Sequence, residues 1–221
     1  MLDTMCEVMK AAYDRGWIST LDGNVSLHRR NTNSLYITPT AVRKQNLTSD
    51  GILKMSFPLD RDQPEGWAKM TRVDDEYQRR LIGLRPSGEL PMHYLLQKKI
   101  DTSNRVVVHL HATHIVAAMY AGYDLREIVA EFPEVALHTR IGESVPPVKA
   151  QSVDLGQSVY EAFGANEDGS LSYDLVGIDR HGCTAVGIDP WKAYSHIERV
   201  NHICEIVLAA GGLKSKIFGV R

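Results

Sequence analysis

The stretch Arg105-Val106-Val107-Val108-His109-Leu110-His111 decides the fold. Read with a period of two, Val106, Val108 and Leu110 share one face, while Arg105, Val107, His109 and His111 share the other. That alternation belongs to a β-strand. Ala112 to Ala121 then reads as a helix closed by Gly122, so a strand passes directly into a helix. Working upstream, Pro91 to Lys99 has a helical pattern, and Glu89 precedes it where an acid faces the positive end of the helix dipole. Gly23-Asn24-Val25-Ser26-Leu27 and Ser34-Leu35-Tyr36-Ile37-Thr38 are two short strand-like runs around a polar turn, the second ended by Pro39. Leu2, Met5, Cys6, Met9, Ala12 and Tyr13 recur at helical spacing and stop at Gly16. Residues 56–70, rich in Pro, Gly and charge, are expected to form an exposed loop.

Downstream, Pro133, Pro146 and Pro147 are expected to limit helix across a mixed region, 125–150. Ser152 to Phe163 reads as a helix and Gly164 to Gly169 as a loop. Asp174 to Asp179 and Cys183 to Ile188 read as two strands around the turn Asp179-Arg180-His181-Gly182. The last helix has Asp189 as N-cap, Pro190 at its first position, a stripe of Ile197, Val200, Ile203 and Val207, and a stop at Gly211-Gly212. With no internal repeat, no low-complexity linker and no break in composition, residues 1–221 read as one mixed α/β domain.

Composition narrows the function classes. The chain is 43% hydrophobic and 24% charged, an ordinary globular balance that excludes disorder and collagen-like repeats. Its 25 basic and 27 acidic residues give a net charge of -2, without the basic excess of a nucleic-acid binder. Cys6, Cys183 and Cys204 are odd in number and lack CxxC spacing, so a disulfide framework is not expected. Met1-Leu2-Asp3-Thr4 does not resemble the basic start of a signal peptide. Val106 to Tyr123 is long enough to span a bilayer, but His109, His111 and His114 interrupt it. A cytoplasmic protein with reduced thiols is the expectation, with no membrane and no nucleic acid as partner.

His109-Leu110-His111 carries the chemistry. On a strand both imidazoles project from one face about 7 Å apart along the chain, a separation from which two nitrogens reach one zinc ion at about 2.0–2.1 Å. Two histidines do not make a metal site, and an HxH pair is also common by accident. His181 is a candidate third ligand because its turn can present one imidazole at a sheet end while Gly182 permits close backbone approach. Its plainer reading is a turn histidine bonded to its own backbone. Glu89 is either a helix N-terminal acid or, beside a metal, a general base or a fourth ligand that swings away. Ser87-Gly88, Gly23-Asn24-Val25-Ser26 and Thr38-Pro39-Thr40 supply small donors for an anion, although each is common in loops. His93, one helical turn after Glu89, either orients that carboxylate or is simply packed in its helix. Tyr120 and Tyr123 read as packing residues after the metal strand, and His114 as pointing elsewhere. His28, His138, His196 and His202 read as surface or helix-face residues, and Arg43 and Lys44, just past the Thr-Pro-Thr turn, either as phosphate contacts or, more plainly, as a solvated pair.

Taken in order, Gly23-Asn24-Val25-Ser26, Ile37-Thr38-Pro39-Thr40, Ser87-Gly88-Glu89, His109-Leu110-His111 and His181-Gly182 resemble the class II aldolase/adducin family along nearly the whole chain. The segment 105–113 is most similar to its rhamnulose-phosphate aldolase branch, with fuculose-phosphate aldolase as a relative. The resemblance implies a three-layer α/β/α domain with a central, mostly antiparallel sheet. It implies zinc, or a similar divalent ion, on His109, His111 and His181, with Glu89 as catalytic acid/base. Asn24, Thr40 and Ser87 match positions that hold the substrate phosphate, and the backbone N–H of Gly88 is a candidate to join them. Glu134, ahead of Pro147, is the best match to a second catalytic glutamate lent by a neighbouring subunit; Glu131 and Glu143 compete for that role. The implied activity is retro-aldol cleavage of a ketose 1-phosphate to dihydroxyacetone phosphate and an aldehyde, in a homotetramer with sites at subunit interfaces.

Two positions depart from the family pattern: Ala41 where Gly commonly follows Thr-Pro-Thr, and Gly88 where a second Ser commonly precedes the acid. Losing that hydroxyl removes a hydrogen bond worth about 1.5–3 kcal/mol to a charged partner, which bears on the substrate more than on the chemistry. Three rival activities share the resemblance. A 4-epimerase would typically carry Asp at the position of Glu89. A dehydratase of the methylthioribulose-phosphate type would use the same metal scaffold to eliminate water. An adducin-like scaffold would have lost the metal, whereas here all three histidines and Glu89 are present.

Overall fold

The computed structural model describes residues 1–32, 34–56 and 84–213. Six strands lie in one sheet: β1 (Asn24–Arg29), β2 (Ser34–Ile37), β3 (Leu53–Ser56), β4 (Asn104–Leu110), β5 (Leu175–Ile178) and β6 (Gly182–Gly187). Their order is β3-β2-β1-β4-β6-β5, and every neighbouring pair is antiparallel. Among the described residues seven α-helices accompany them: α1 (Leu2–Asp14), α2 (Leu90–Gln97), α3 (Thr113–Tyr120), α4 (Leu125–Ala130), α5 (Pro133–His138), α6 (Val153–Ala162) and α7 (Pro190–Ala209).

The alternation in β4 explains the layering. Val106, Val108 and Leu110 enter one core with Met5 and Met9 of α1, Ile115 of α3 and Ile197 and Val200 of α7. Val107 enters a second core on the other face, with Met92 and Leu96 of α2 and Leu155 and Val159 of α6. A central strand covered by helices on both faces must be apolar on both, which is why three valines run together here. This is the three-layer α/β/α arrangement with an antiparallel sheet.

Several local expectations change. β4 ends at Leu110, so His111 lies just past the strand, although it keeps to the side of His109. β3 was not expected; Leu53 and Met55 alternate inward on a four-residue edge strand too short to announce itself. Pro133 starts a helix instead of limiting one, because proline at the first helical position forfeits no hydrogen bond. His28 and His196 are buried, not on the surface: His28 Nδ1 meets the Ser34 carbonyl at 3.1 Å, and His196 Nδ1 meets Thr139 Oγ1 at 2.8 Å. Tyr120 is 78% exposed and packs on nothing, whereas Tyr123 packs against the first core. The loop expected over 56–70 lies, beyond Ser56 at the end of β3, outside the described residues. Among the described residues, no helix is long and apolar enough to cross a membrane.

Candidate metal centre and anion cavity

Three chain segments meet at one end of the central strands. β4 delivers His109 on its α2-facing side, and the chain just beyond delivers His111. The turn between β5 and β6 delivers His181, with Arg180 in the left-handed region at φ 55° and the His181 N–H donating to the Ile178 carbonyl at 3.0 Å. Each imidazole then offers a ring nitrogen within 4.8 Å of the other two. Gly182 makes the approach possible: a Cβ there would stand 2.5 Å from the Leu110 carbonyl oxygen and 3.0 Å from the His111 ring. Among the described residues this is the group of His, Cys, Asp or Glu side chains arranged to share a metal ion.

The three rings fit a divalent cation better than they fit each other. His109 is fully buried, yet its Nε2 has no hydrogen-bond partner; Glu89 Oε2 is 3.2 Å away but out of line. His181 Nε2 lies 3.3 Å from Glu89 Oε1, and its Nδ1 is buried without a partner. Orphaned buried nitrogens are rare unless a ligand or ion completes them. Burial first, and the neighbouring imidazoles second, hold His109 far below the usual histidine range and lower His111 as well. Both rings therefore stay neutral, the form that binds a metal. No thiol joins them: Cys6, Cys183 and Cys204 are buried, free and pushed up by burial.

Glu89 occupies the N-cap position of α2 but caps nothing with its side chain. Instead the buried carboxylate faces His109 and His181, while Oε2 accepts a 2.9 Å hydrogen bond from Asn24 Nδ2. Asn24 comes from β1, where it pairs in register with His109. Its Oδ1 meets His93 Nε2, and His93 Nδ1 lies 2.6 Å from Ser26 Oγ. His93 is wholly buried and pushed down to about 3, chiefly by burial.

The expected anion-binding residues line a cavity of about 230 Å³ beside the imidazoles: Asn24, Thr40, Ser87 and Gly88, together with Glu89, His111 and His181. Ser87 Oγ accepts from the Glu89 N–H at 3.2 Å, which leaves its own O–H as a donor. Asn24 has one amide hydrogen committed to Glu89 and its oxygen to His93, so one N–H remains for a substrate. Lys44 also lines the cavity, as the less plain of its two readings had it, and so does Gln151, which was not anticipated. Lys44 is 2% exposed, not solvated; its ammonium donates to the Leu21 carbonyl at 2.9 Å and the Val42 carbonyl at 3.2 Å. Arg43 beside it is exposed, as expected. Gln151 lies against Gly88, where a Cβ would come within 2.5 Å of its amide. Neither Lys44 nor Gln151 belongs to a periodic element, so spacing could not reveal them.

Glu134 is not brought to this cavity. It stands exposed on α5, and Glu131 and Glu143 are likewise exposed and outside the lining. His114 turns towards α7, with Asn201 Nδ2 at 3.3 Å from its Nδ1.

The fold is thus mixed α/β, with three imidazoles and a carboxylate converging at a strand end beside a small polar cavity. Residues 3–208 match the family described as class II aldolase and adducin N-terminal domain, and the chain belongs to it. It is similar to methylthioribulose-1-phosphate dehydratase of Komagataella phaffii, 23% identical over 213 residues, covering 92% of this chain and 80% of that one. It is also similar to rhamnulose-1-phosphate aldolase of Bacteroides thetaiotaomicron, 22% identical over 236 residues, covering 95% and 85%. The fold is that of l-fuculose-1-phosphate aldolase from Thermus thermophilus, at TM-score 0.63 and 19% identity, covering 95% of this chain and 93% of that one.

Proposed function

We propose that the chain is a metal-dependent lyase that cleaves a ketose 1-phosphate, of the rhamnulose or fuculose type, to dihydroxyacetone phosphate and an aldehyde. The observation that carries this reading is the buried carboxylate of Glu89, held 3.2 and 3.3 Å from two of three clustered imidazoles at the mouth of an anion cavity. His109, His111 and His181 would hold the cation, zinc being the expected ion. Once bound, a divalent cation supplies Lewis acidity that stabilises negative charge on a substrate oxygen.

The protein's own groups do the rest. Thr40, Ser87, the Gly88 backbone N–H and the spare Asn24 N–H would bind the phosphate, and Lys44 adds a positive charge to their wall. Glu89 would take up the hydroxyl proton that leaves the substrate as the C–C bond breaks and return it to the carbon so freed. Its carboxylate sits next to the imidazoles and not in solvent, so that proton is delivered without competition from water. Glu134 is proposed to act across a subunit boundary, on the aldehyde oxygen in a neighbouring copy's site, within a homotetramer of single-domain chains in the cytoplasm.

A second reading is dehydration of a methylthioribulose-1-phosphate-like ketose, favoured by the similarity to dehydratases along 92% of the chain. It uses the same carboxylate beside the same ketone. A panel of ketose 1-phosphates incubated with protein and zinc separates the two. Release of dihydroxyacetone phosphate supports cleavage, loss of water with an intact carbon chain supports dehydration, and neither product from any substrate overturns both.

A further inference from the structure

The face of α2 that meets the sheet carries a polar line inside an apolar helix. Glu89, His93 and Gln97 are spaced four apart, and each meets the sheet: Glu89 through Asn24, His93 through Ser26 and Asn24, Gln97 through the Arg105 carbonyl at 3.0 Å. Four helical residues rise about 6 Å, and two strand residues rise about 6.6–6.8 Å. Glu89 and His93 therefore keep step with Asn24 and Ser26 on β1. The match turns four side chains, from positions 24 to 93, into one continuous string of hydrogen bonds.

We infer that Ser26, His93 and Asn24 are positioning residues that aim the Glu89 carboxylate, by a chain whose bonds run in one direction. This rests on the reading of Glu89 as acid/base. The direction follows from the groups at the Glu89 end. A carboxylate only accepts, so the amide group of Asn24 facing it must be its NH₂. That places Oδ1, which also only accepts, against His93, so Nε2 of that ring carries the proton. The neutral ring then has Nδ1 as an acceptor, and the Ser26 hydroxyl donates to it. The string reads Ser26 O–H to His93 Nδ1, His93 Nε2–H to Asn24 Oδ1, Asn24 Nδ2–H to Glu89 Oε2.

The consequence is chemical as well as geometric. A protonated Glu89 that donated towards Asn24 would need the amide turned over and the His93 proton moved to Nδ1. With the string as drawn, Asn24 always donates to Oε2, so a proton that Glu89 takes up goes to Oε1, on the side of His181. Supporting groups of this kind typically change activity or metal affinity by about 10–100-fold when removed.

The test has a spectroscopic arm and a kinetic arm. Nitrogen-15 NMR of the histidine rings in the wild-type protein at pH 7 is expected to show His93 protonated at Nε2 and bare at Nδ1. An Nδ1-protonated ring would overturn the inference. In the kinetic arm, His93→Leu is expected to lower kcat about 10–100-fold with KM and bound metal unchanged, while His93→Gln, whose amide can still donate to Asn24, recovers most of the loss. Equal impairment in both variants, or none in either, would overturn it. Should His93→Leu fail to fold, Ser26→Ala serves, with a smaller kcat loss at unchanged KM expected and an unchanged kcat contradicting it. A wild-type chain inactive on every ketose phosphate refutes the proposed activity and leaves the ring spectrum to judge the string; an active chain with unaffected variants refutes the string alone.

Discussion

His109 and Arg105 lie four residues apart on the same strand and the same face, both buried, and a cavity of similar size lies at each end: about 230 Å³ lined by His111 and His181 beyond His109, and about 250 Å³ lined by Arg105 itself. Their hydrogen bonding differs completely. Arg105 donates to the Leu96, Lys99 and Gly169 carbonyls and pairs with Asp101 at 2.8 Å. Around it, Arg140 pairs with Asp174 and His196 with Thr139. At the other end His109 Nε2 and His181 Nδ1 are buried without hydrogen-bond partners. Volume does not distinguish a site from a gap in packing; unfinished polar bonding does. At the Arg105 end the charged groups are paired, although Gln97 Oε1 is buried without a partner; at the His109 end two imidazole nitrogens are, and these are the donors the proposed cation would use.

The comparison breaks most clearly by mutation at each end. His181→Ala is expected to abolish metal binding and lower turnover by about 10³-fold or more, the scale of losing the cation's charge stabilisation. Metal analysis and activity on the same preparation check it. Arg105→Gln is expected to cost about 3 kcal/mol of stability, because three carbonyls and Asp101 lose a charged partner. Turnover per folded, metal-loaded molecule should stay at the wild-type level, which denaturant unfolding beside kinetics would show.

Acid should weaken both ends alike. His93 is pushed down to about 3 and His196 to about 4, each mainly by burial, against 6.5 when unfolded. Below pH 6.5 the unfolded chain takes up protons that the folded rings refuse, so stability falls as pH falls. The two together are worth about 3 kcal/mol between pH 7.5 and 5.5, measurable as a lower denaturation midpoint of the metal-free protein; a midpoint that rises on acidification would contradict it. The smallest expected effect concerns Lys44. Lys44→Met should raise KM for a phosphorylated substrate about tenfold, or about 1.4 kcal/mol, with kcat less affected. Lys192→Met, at the Arg105 cavity, should leave both unchanged.

The layering and the His109–His111 pair were readable because both are local, whereas His181, 70 residues beyond His111, was named as a third ligand through the family resemblance. Alternation over 105–111 placed Val106, Val108 and Leu110 opposite His109, and Asp189-Pro190 marked the start of α7. β3, α4 and α5 escaped because four to six residues do not complete a recognisable period. His93 illustrates the boundary: its spacing from Glu89 is visible on the helix, but its partners Ser26 and Asn24 lie 67 and 69 residues away. Burial of Lys44 and the contact of Gln151 with Gly88 depend on how loops fold back over the site, and no spacing rule reports that. Ala41, which replaces the family's usual glycine, nevertheless adopts glycine's left-handed backbone at φ 59°. The departure in sequence is therefore no departure in chain path. The role proposed for Glu134 would involve a neighbouring copy, and local spacing in one chain does not report it.

The most direct test of the central claim is turnover per bound metal ion in Glu89→Gln, measured on whichever ketose 1-phosphate the wild-type chain consumes. The expected result is a full complement of metal with turnover reduced by about 10²–10⁴-fold, the range for losing a general acid/base. Turnover per metal equal to the wild type would contradict the assignment of Glu89 as the group that moves the proton.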